Sequence, residues 1–224
     1  DLLLDDRGQI GLDDRNSNWM VDSPESWKAV TVLQLLNHTS GLVDFTRLDS
    51  YDVLKSRPTS TVELIAHIRD QPLEFQPGER FAYSNSGYVI LARLIEIVSG
   101  ATYAEFVEQN LFSPLQMTDS GYDHQDIVLS HRASGYIGRG ADIRHAGYLD
   151  MSVPSGAGGL YSTTRDLLRW ERGLFDGDLL TSESLKALTT PGRGAYGLGL
   201  MAAENDGAVT VWHDGAIDGF NSYM

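Results

Sequence analysis

The 224-residue chain reads as an α+β protein, mainly helical over about 1–190 with antiparallel strands over about 195–224. Three observations predict this. Helix-start signatures recur through the first part, one helix there is apolar on nearly every face, and near Tyr196 the apolar period changes from helical to two. A hydrophobic content of 42% with 21% charged residues suits a globular chain with a sizeable core. The whole of 1–224 is read as one domain fragment.

The elements follow in order. Leu2-Leu3-Leu4 and then Gly8 have the form of the last turns of a helix closed by a glycine. The polar stretch from Asp13 to Asn18 is loop. Thr31-Val32-Leu33-Gln34 is a capping box, in which Thr31 and Gln34 each satisfy a free N–H of the other. It opens a short helix with Leu33 and Leu36 on one face, ending near Gly41. Ser60-Thr61-Val62-Glu63 repeats the signature, and its helix runs towards Pro72. Gln76-Pro77-Gly78-Glu79 is a turn that delivers the chain to Phe81-Ala82-Tyr83-Ser84-Asn85-Ser86-Gly87. From about Ser86 to Val98 only Arg93 and Glu96 interrupt an apolar run, which marks a helix buried on most sides. Thr102-Tyr103-Ala104-Glu105 caps another helix that finishes before Pro114.

Residues 119–150 show no period and read as a long loop or a set of short irregular turns, of the kind that walls a cleft. Ser162 caps a helix through Trp170, and a further helix covers about Ser184 to Leu188. Tyr196, Leu198 and Leu200 then alternate with Gly197, Gly199 and Met201 as a strand. Asn205-Asp206-Gly207 is a hairpin turn, Val209 to Trp212 the return strand, and a third strand begins after Gly219.

Composition excludes several functions. The formal net charge of −14, from 31 acidic and 17 basic residues, argues against binding nucleic-acid backbones or anionic lipid. With no cysteine, disulfides, thiolate catalysis and cysteine metal sites are excluded. No apolar run approaches ~18 residues, so no transmembrane segment is expected, and no signal peptide opens the chain. The ends read as cut: the chain starts at Asp1 and stops inside the strand-like Phe220–Met224, as an internal piece of a longer protein would. There is no Gly-x-Ser-x-Gly elbow, Walker loop, Gly-x-Gly-x-x-Gly or His-Glu-x-x-His. The six histidines have no ligand spacing, so neither a metal nor a cofactor is expected.

Two short motifs carry chemistry. Tyr83 and Asn85 sit two apart, so in an extended backbone both project the same way. A phenol and an amide side by side can hand on a proton and hold a carbonyl; the competing reading is a half-buried aromatic beside a helix cap. Ten tyrosines in this chain make roughly 0.3 chance Tyr-x-Asn matches expected. His213-Asp214-Gly215 closes the return strand, where Gly215 would let a ligand lie against the backbone and the Ala216 N–H would meet an oxyanion. His145-Ala146-Gly147 matches the same pattern and is taken as a decoy; with 23 glycines about 0.6 such matches arise by chance.

Order and context lift both motifs. Leu33-Gln34-Leu35-Leu36-Asn37-His38-Thr39-Ser40-Gly41-Leu42, Phe81 to Asn85, Ala157-Gly158-Gly159-Leu160-Tyr161-Ser162-Thr163 and Trp212 to Gly215 together resemble the class C β-lactamase-like serine hydrolases. That group holds penicillin-binding DD-peptidases, class C β-lactamases, D-aminopeptidases and lactamase-like esterases, and the resemblance covers essentially the whole chain. It implies the β-lactamase/DD-peptidase fold, a helical region packed on an antiparallel sheet, here incomplete at both ends. It also implies acyl transfer to water through a serine ester, with a small-molecule or peptide substrate and no cofactor. By this resemblance Tyr83 is the general acid/base and Asn85 positions the substrate carbonyl and a lysine. His213 stands where many relatives place Lys or His facing the tyrosine, and Gly215 and Ala216 border the substrate. A phenol ordinarily titrates near ~10, so a tyrosine base needs cationic neighbours.

Two departures stand out. The family's Ser-x-x-Lys is missing: Lys28, Lys55 and Lys186 are preceded at −3 by Glu25, Asp52 and Glu183. The nucleophile is therefore expected outside this chain, and the piece alone is expected to be inactive. Asp214 takes a place often filled by a small hydroxyl residue, and its carboxylate argues against an efficient penicillinase. Ester, D-amino-acid peptide and β-lactam stay open as substrates, beside a second class: a catalytically silent binding or scaffold domain of the same fold.

Overall fold

The computed structural model describes residues 1–224, the side chain of Asn205 excepted. Its helices are α1 (Leu2–Asp6), α2 (Val32–Leu36), α3 (Tyr51–Leu54), α4 (Thr61–Arg69), α5 (Asn85–Ser99), α6 (Tyr103–Val107), α7 (Thr164–Phe175) and α8 (Ser182–Thr189). Its strands are β1 (Gly121–Tyr122), β2 (Tyr136–Ile137), β3 (Arg144–His145), β4 (Leu160–Tyr161), β5 (Met201–Asn205), β6 (Ala208–Trp212), β7 (Asp214–Ile217) and β8 (Phe220–Tyr223). The strands pair antiparallel as β1–β4, β2–β3, β5–β6 and β7–β8.

The core gathers on α5. Val89, Ile90, Leu91, Ala92, Leu94 and Ile95 are all buried along it, and Leu35, Leu36, Leu64, Ile68, Leu198 and Leu200 belong to the same apolar cluster. Gly100 ends the helix at φ 73, a left-handed conformation that costs only glycine nothing. The capping boxes at Thr31/Gln34 and Thr102/Glu105 both form, each side chain bonding the other residue's backbone N–H. At Ser60 only half the box forms. Its hydroxyl accepts from the Glu63 N–H, while the Glu63 carboxylate is drawn to Arg57 at 2.5 Å.

Several boundaries differ from the sequence reading. In α2 the fully buried side chains are Val32, Leu35 and Leu36, with Leu33 only half-buried. The cap of α7 is Thr163, which accepts from the Asp166 N–H, because the Ser162 hydroxyl is engaged with Ser120 at 2.8 Å; the helix then runs on to Phe175. Thr181 caps α8. Residues 119–150 hold the two-residue strands β1, β2 and β3 rather than loop alone.

Residues 196–200 form no strand. Tyr196, Gly197, Leu198 and Leu200 are all buried, so the expected in–out alternation is absent, and the regular ladder starts only at Met201. Gly197 is glycine because the Leu188 carbonyl oxygen occupies the space its Cβ would need. The hairpin turn itself is as expected: Asp206 and Gly207 lie at φ 50 and 80, the left-handed pair of a two-residue turn matched to strand twist. The strands thus form separate hairpins, with β5–β6 and β7–β8 closing the C-terminal part.

Candidate active site

The site is assembled on the end of α2. There His38 takes a positive φ of 55, and Gly41, at φ 80, lies so close under the Phe75 carbonyl oxygen that no Cβ would fit. The extended residues before α5 are tied to His38 twice. The Ala82 N–H donates to the His38 carbonyl oxygen at 2.9 Å, and the Ser84 N–H donates to His38 Nδ1 at 3.2 Å. Because Nδ1 accepts, the ring proton sits on Nε2. His38 is 1% exposed, and burial, with the charge of His213 a lesser cause, holds it down to about 3. It is a neutral, structural imidazole, and its ring lies 4.2 Å from the Tyr83 ring.

Tyr83 projects from this tie with 43% of its surface exposed. Its ring centre is 6.2 Å from that of His213 and 6.4 Å from that of Tyr196. Burial raises its pKa first, and the charges of Asp44 and Asp214 raise it further. The phenol is therefore held protonated at neutral pH, as a proton donor. The neighbours on either side in sequence are not available for chemistry. Ser84 and Ser86 are buried, and both hydroxyls donate to the Val43 carbonyl oxygen, at 3.4 and 2.6 Å.

Asn85 is the first residue of α5, and its amide nitrogen donates to the two Asp44 carboxylate oxygens at 3.3 and 3.2 Å. It also lines a cavity of about 360 Å³ with Phe45, Thr46, Tyr51, Ala216 and Asp218. His213 links β6 to β7, and its backbone exchanges hydrogen bonds with Met224 at 3.0 and 3.1 Å. Its Nδ1–H donates to the Asp214 carbonyl oxygen at 2.5 Å, and its Nε2 shares a hydrogen bond with the Tyr196 hydroxyl at 2.9 Å. This arrangement bonds the His213 ring to Tyr196, while its ring centre stays 6.2 Å from that of Tyr83. Gly215 packs in the β7–β8 hairpin, where the Ser222 hydroxyl fills the position of a Cβ, while Ala216 is exposed opposite Asn221. His145 stacks on Tyr136 at 4.9 Å across β2–β3.

The fold thus draws Tyr83 to His213 across one aromatic cluster, and Asn85 to Ala216 across one cavity. Three residues of the site carry no motif of their own: Asp44, which grips Asn85; Tyr196, which grips His213; and His38, which carries the Tyr83 segment. His38 and Asp44 lie within or just beyond the Asn37-His38-Thr39-Ser40-Gly41 block, so their nearness to that block was the available signal. Tyr196 was hidden in an apparent strand.

The architecture is that of penicillin-binding proteins and amidohydrolases of D-amino acids. A penicillin-binding protein from Bacillus halodurans superposes with a TM-score of 0.85 at 29% identity, over 99% of this chain and 71% of that one. A D-amino acid amidase from Ochrobactrum anthropi SV3 gives 0.84 at 26% identity, over 97% and 66%. Penicillin-binding protein 4* of Bacillus subtilis is 29% identical, aligned over 100% of this chain and 54% of its own length, so the chain spans about half of that relative. The Beta-lactamase family model matches residues 2–224, and the chain belongs to that family.

Proposed function

We propose that this chain carries the Tyr83, Asn85 and His213 part of a serine acyl hydrolase site. The observation that supports this best is the 6.2 Å approach of the Tyr83 and His213 rings beside the cavity lined by Asn85 and Ala216. In this reading Tyr83 relays the proton between nucleophile and leaving group, and the protonated form favoured here is the one that donates to a departing amine or alcohol. Asn85 orients the substrate, and the Ala216 N–H faces the oxyanion. Gly215, whose missing Cβ makes room for the Ser222 hydroxyl, borders the substrate beside Ala216.

The nucleophile is proposed to lie outside residues 1–224. Ser84 and Ser86, the serines nearest Tyr83 in sequence, are buried and bonded to Val43, and no serine stands three before a lysine. Acylation needs a serine, a base and an oxyanion donor together. A fluorophosphonate probe is expected to label the full-length protein once and residues 1–224 not at all, read by intact mass. An adduct on any serine of the 224 would overturn the assignment, and a full-length protein that takes no label would favour the silent binding domain.

The substrate reading is an ester or a D-amino-acid amide or peptide ahead of a β-lactam. Asp214 raises the Tyr83 pKa through its charge, while Asp218 in the cavity is paired with Lys55, so a β-lactam carboxylate beside Tyr83 meets the negative charge of Asp214. Turnover of a short-chain nitrophenyl ester, a D-alanyl peptide and a chromogenic cephalosporin by the full-length protein tests it. Selective turnover of the cephalosporin would refute this reading.

A further inference from the structure

Asp44 is a buried carboxylate for which the acyl-transfer roles above have no use. It is 7% exposed, and its oxygens accept from Asn85 Nδ2 at 3.3 and 3.2 Å, from the Thr46 N–H at 3.1 Å and from the Thr46 hydroxyl at 3.0 Å. Among the described residues no Lys, Arg or His forms an ion pair with it. Burying a charge is expensive unless hydrogen bonds replace its water, and here neutral donors alone do so.

The arrangement has a directional consequence. A carboxylate only accepts, whereas an amide has a donating and an accepting end, so only the nitrogen of Asn85 can face Asp44. The oxygen then sits on the opposite branch of a side chain that lines the cavity. We infer that Asp44 is a positioning residue of the acyl-transfer site, locking Asn85 so that its amide oxygen, an acceptor, is what the cleft receives. Asn85 therefore offers its oxygen to an N–H or ammonium donor in the cleft. This inference rests on the serine acyl hydrolase reading and adds a residue to it.

A second effect accompanies the first. The groups facing Tyr83 are the rings of His38, Tyr196 and His213 and the carboxylates of Asp44 and Asp214. Asp44 is thus one of two negative charges that, after burial, keep the phenol protonated. One carboxylate sets both the orientation of the amide and the protonation of its neighbour.

Asp44→Asn separates these effects from a merely structural role. An amide at position 44 both donates and accepts, so Asn85 loses its single allowed orientation. In the full-length protein kcat/KM is expected to fall about tenfold or more. Tyrosine 13C NMR, with Tyr83 assigned through Tyr83→Phe, should show the phenol titrating at lower pH, because a negative charge that favoured its neutral form has gone. The Asn85 side-chain amide protons should lose the downfield shift that a carboxylate partner imposes. Thr46→Val frees one carboxylate lone pair and keeps the charge, so it should lower kcat/KM by a smaller factor and leave the titration in place.

Asp44→Asn with wild-type kcat/KM, an unmoved Tyr83 titration and unmoved Asn85 amide protons would overturn the inference. If that variant does not fold, unchanged kcat/KM in Thr46→Val does so instead. The two NMR readouts need no turnover: a wild type that hydrolyses nothing defeats the acyl hydrolase reading alone, and the spectra still decide what Asp44 holds.

Discussion

The two sides of the candidate site are built on opposite terms. Tyr83 and Asn85 lead into α5, eight of whose fifteen residues are buried. His213, Gly215 and Ala216 belong to hairpins in which all four residues of β8 and the first three of β6 are exposed. The first side is fixed by the core, and moving it means breaking apolar packing. The second is held by partly buried Val211 and Ile217 and by a handful of polar contacts: Tyr196 to His213, His213 to Met224, and Lys55 to Asp218 at 3.3 Å. Local opening below the global unfolding energy is expected to start on this more exposed side. A core-fixed Tyr83 segment facing a more exposed edge is the arrangement of a scaffold whose relatives include both penicillin-binding proteins and a D-amino acid amidase.

The comparison breaks most visibly in the core. Leu94→Ala, at a fully buried α5 position, should cost about 3 kcal/mol by chemical denaturation, whereas Val209→Ala, 53% exposed on β6, should stay within about 0.5 kcal/mol. Equal costs would mean that the hairpins are as well packed as the helix.

The next largest effect is pH-dependent. Unfolded, His38 takes a proton near its ordinary 6.5; folded, it refuses one until about 3. Its contribution to stability is therefore complete above pH 6.5 and is lost as pH falls from there towards 3, up to about 5 kcal/mol. His38→Gln should flatten the stability profile in that window by up to one proton, measured as the pH slope of the unfolding free energy. An unchanged slope would show that His38 is not the neutral imidazole described.

Tyr196→Phe should cost about 1 kcal/mol, since half-buried His213 regains water at Nε2. It should also shift the ring 15N signals of His213, while the Tyr83 segment keeps its hydrogen-exchange protection. The smallest effect belongs to Lys55→Met, under about 1 kcal/mol and weaker still in high salt, because the Lys55–Asp52 and Lys55–Asp218 pairs are partly solvated. Its signature should be faster amide exchange confined to β7 and β8.

What the sequence made legible was mostly local. Both capping boxes join residues three apart, so their partners are visible in a row of letters. The burial of α5 is equally plain from Val89 to Ile95, whereas Ile97, within the same apolar run, is 37% exposed. Tyr196 to Leu200 misled because a bulky–Gly–bulky–Gly pattern imitates strand alternation, while Gly197 answers a close approach by the Leu188 carbonyl and Gly199 a positive φ of 104. Contacts across the fold left no trace of that kind: Asp44 reaches Asn85 over 41 positions, and Tyr196 reaches His213 over 17. The motifs named the ends of these pairs, Asn85 and His213, and left their holders anonymous.

His38 adds a constraint of another sort. Its carbonyl and its imidazole together take the amides of Ala82 and Ser84, so one residue stands in for a length of partner strand, with the ring in the place of the next peptide. A side chain cannot slide as a strand can, and it offers one register. Inserting or deleting a single residue between Gly78 and Ser84 would turn Tyr83 to the opposite face, because successive side chains alternate. Length variation among homologues, and any loop graft by an engineer, should therefore be excluded from that stretch and admitted freely at the Asp206-Gly207 turn, where two strands end in solvent.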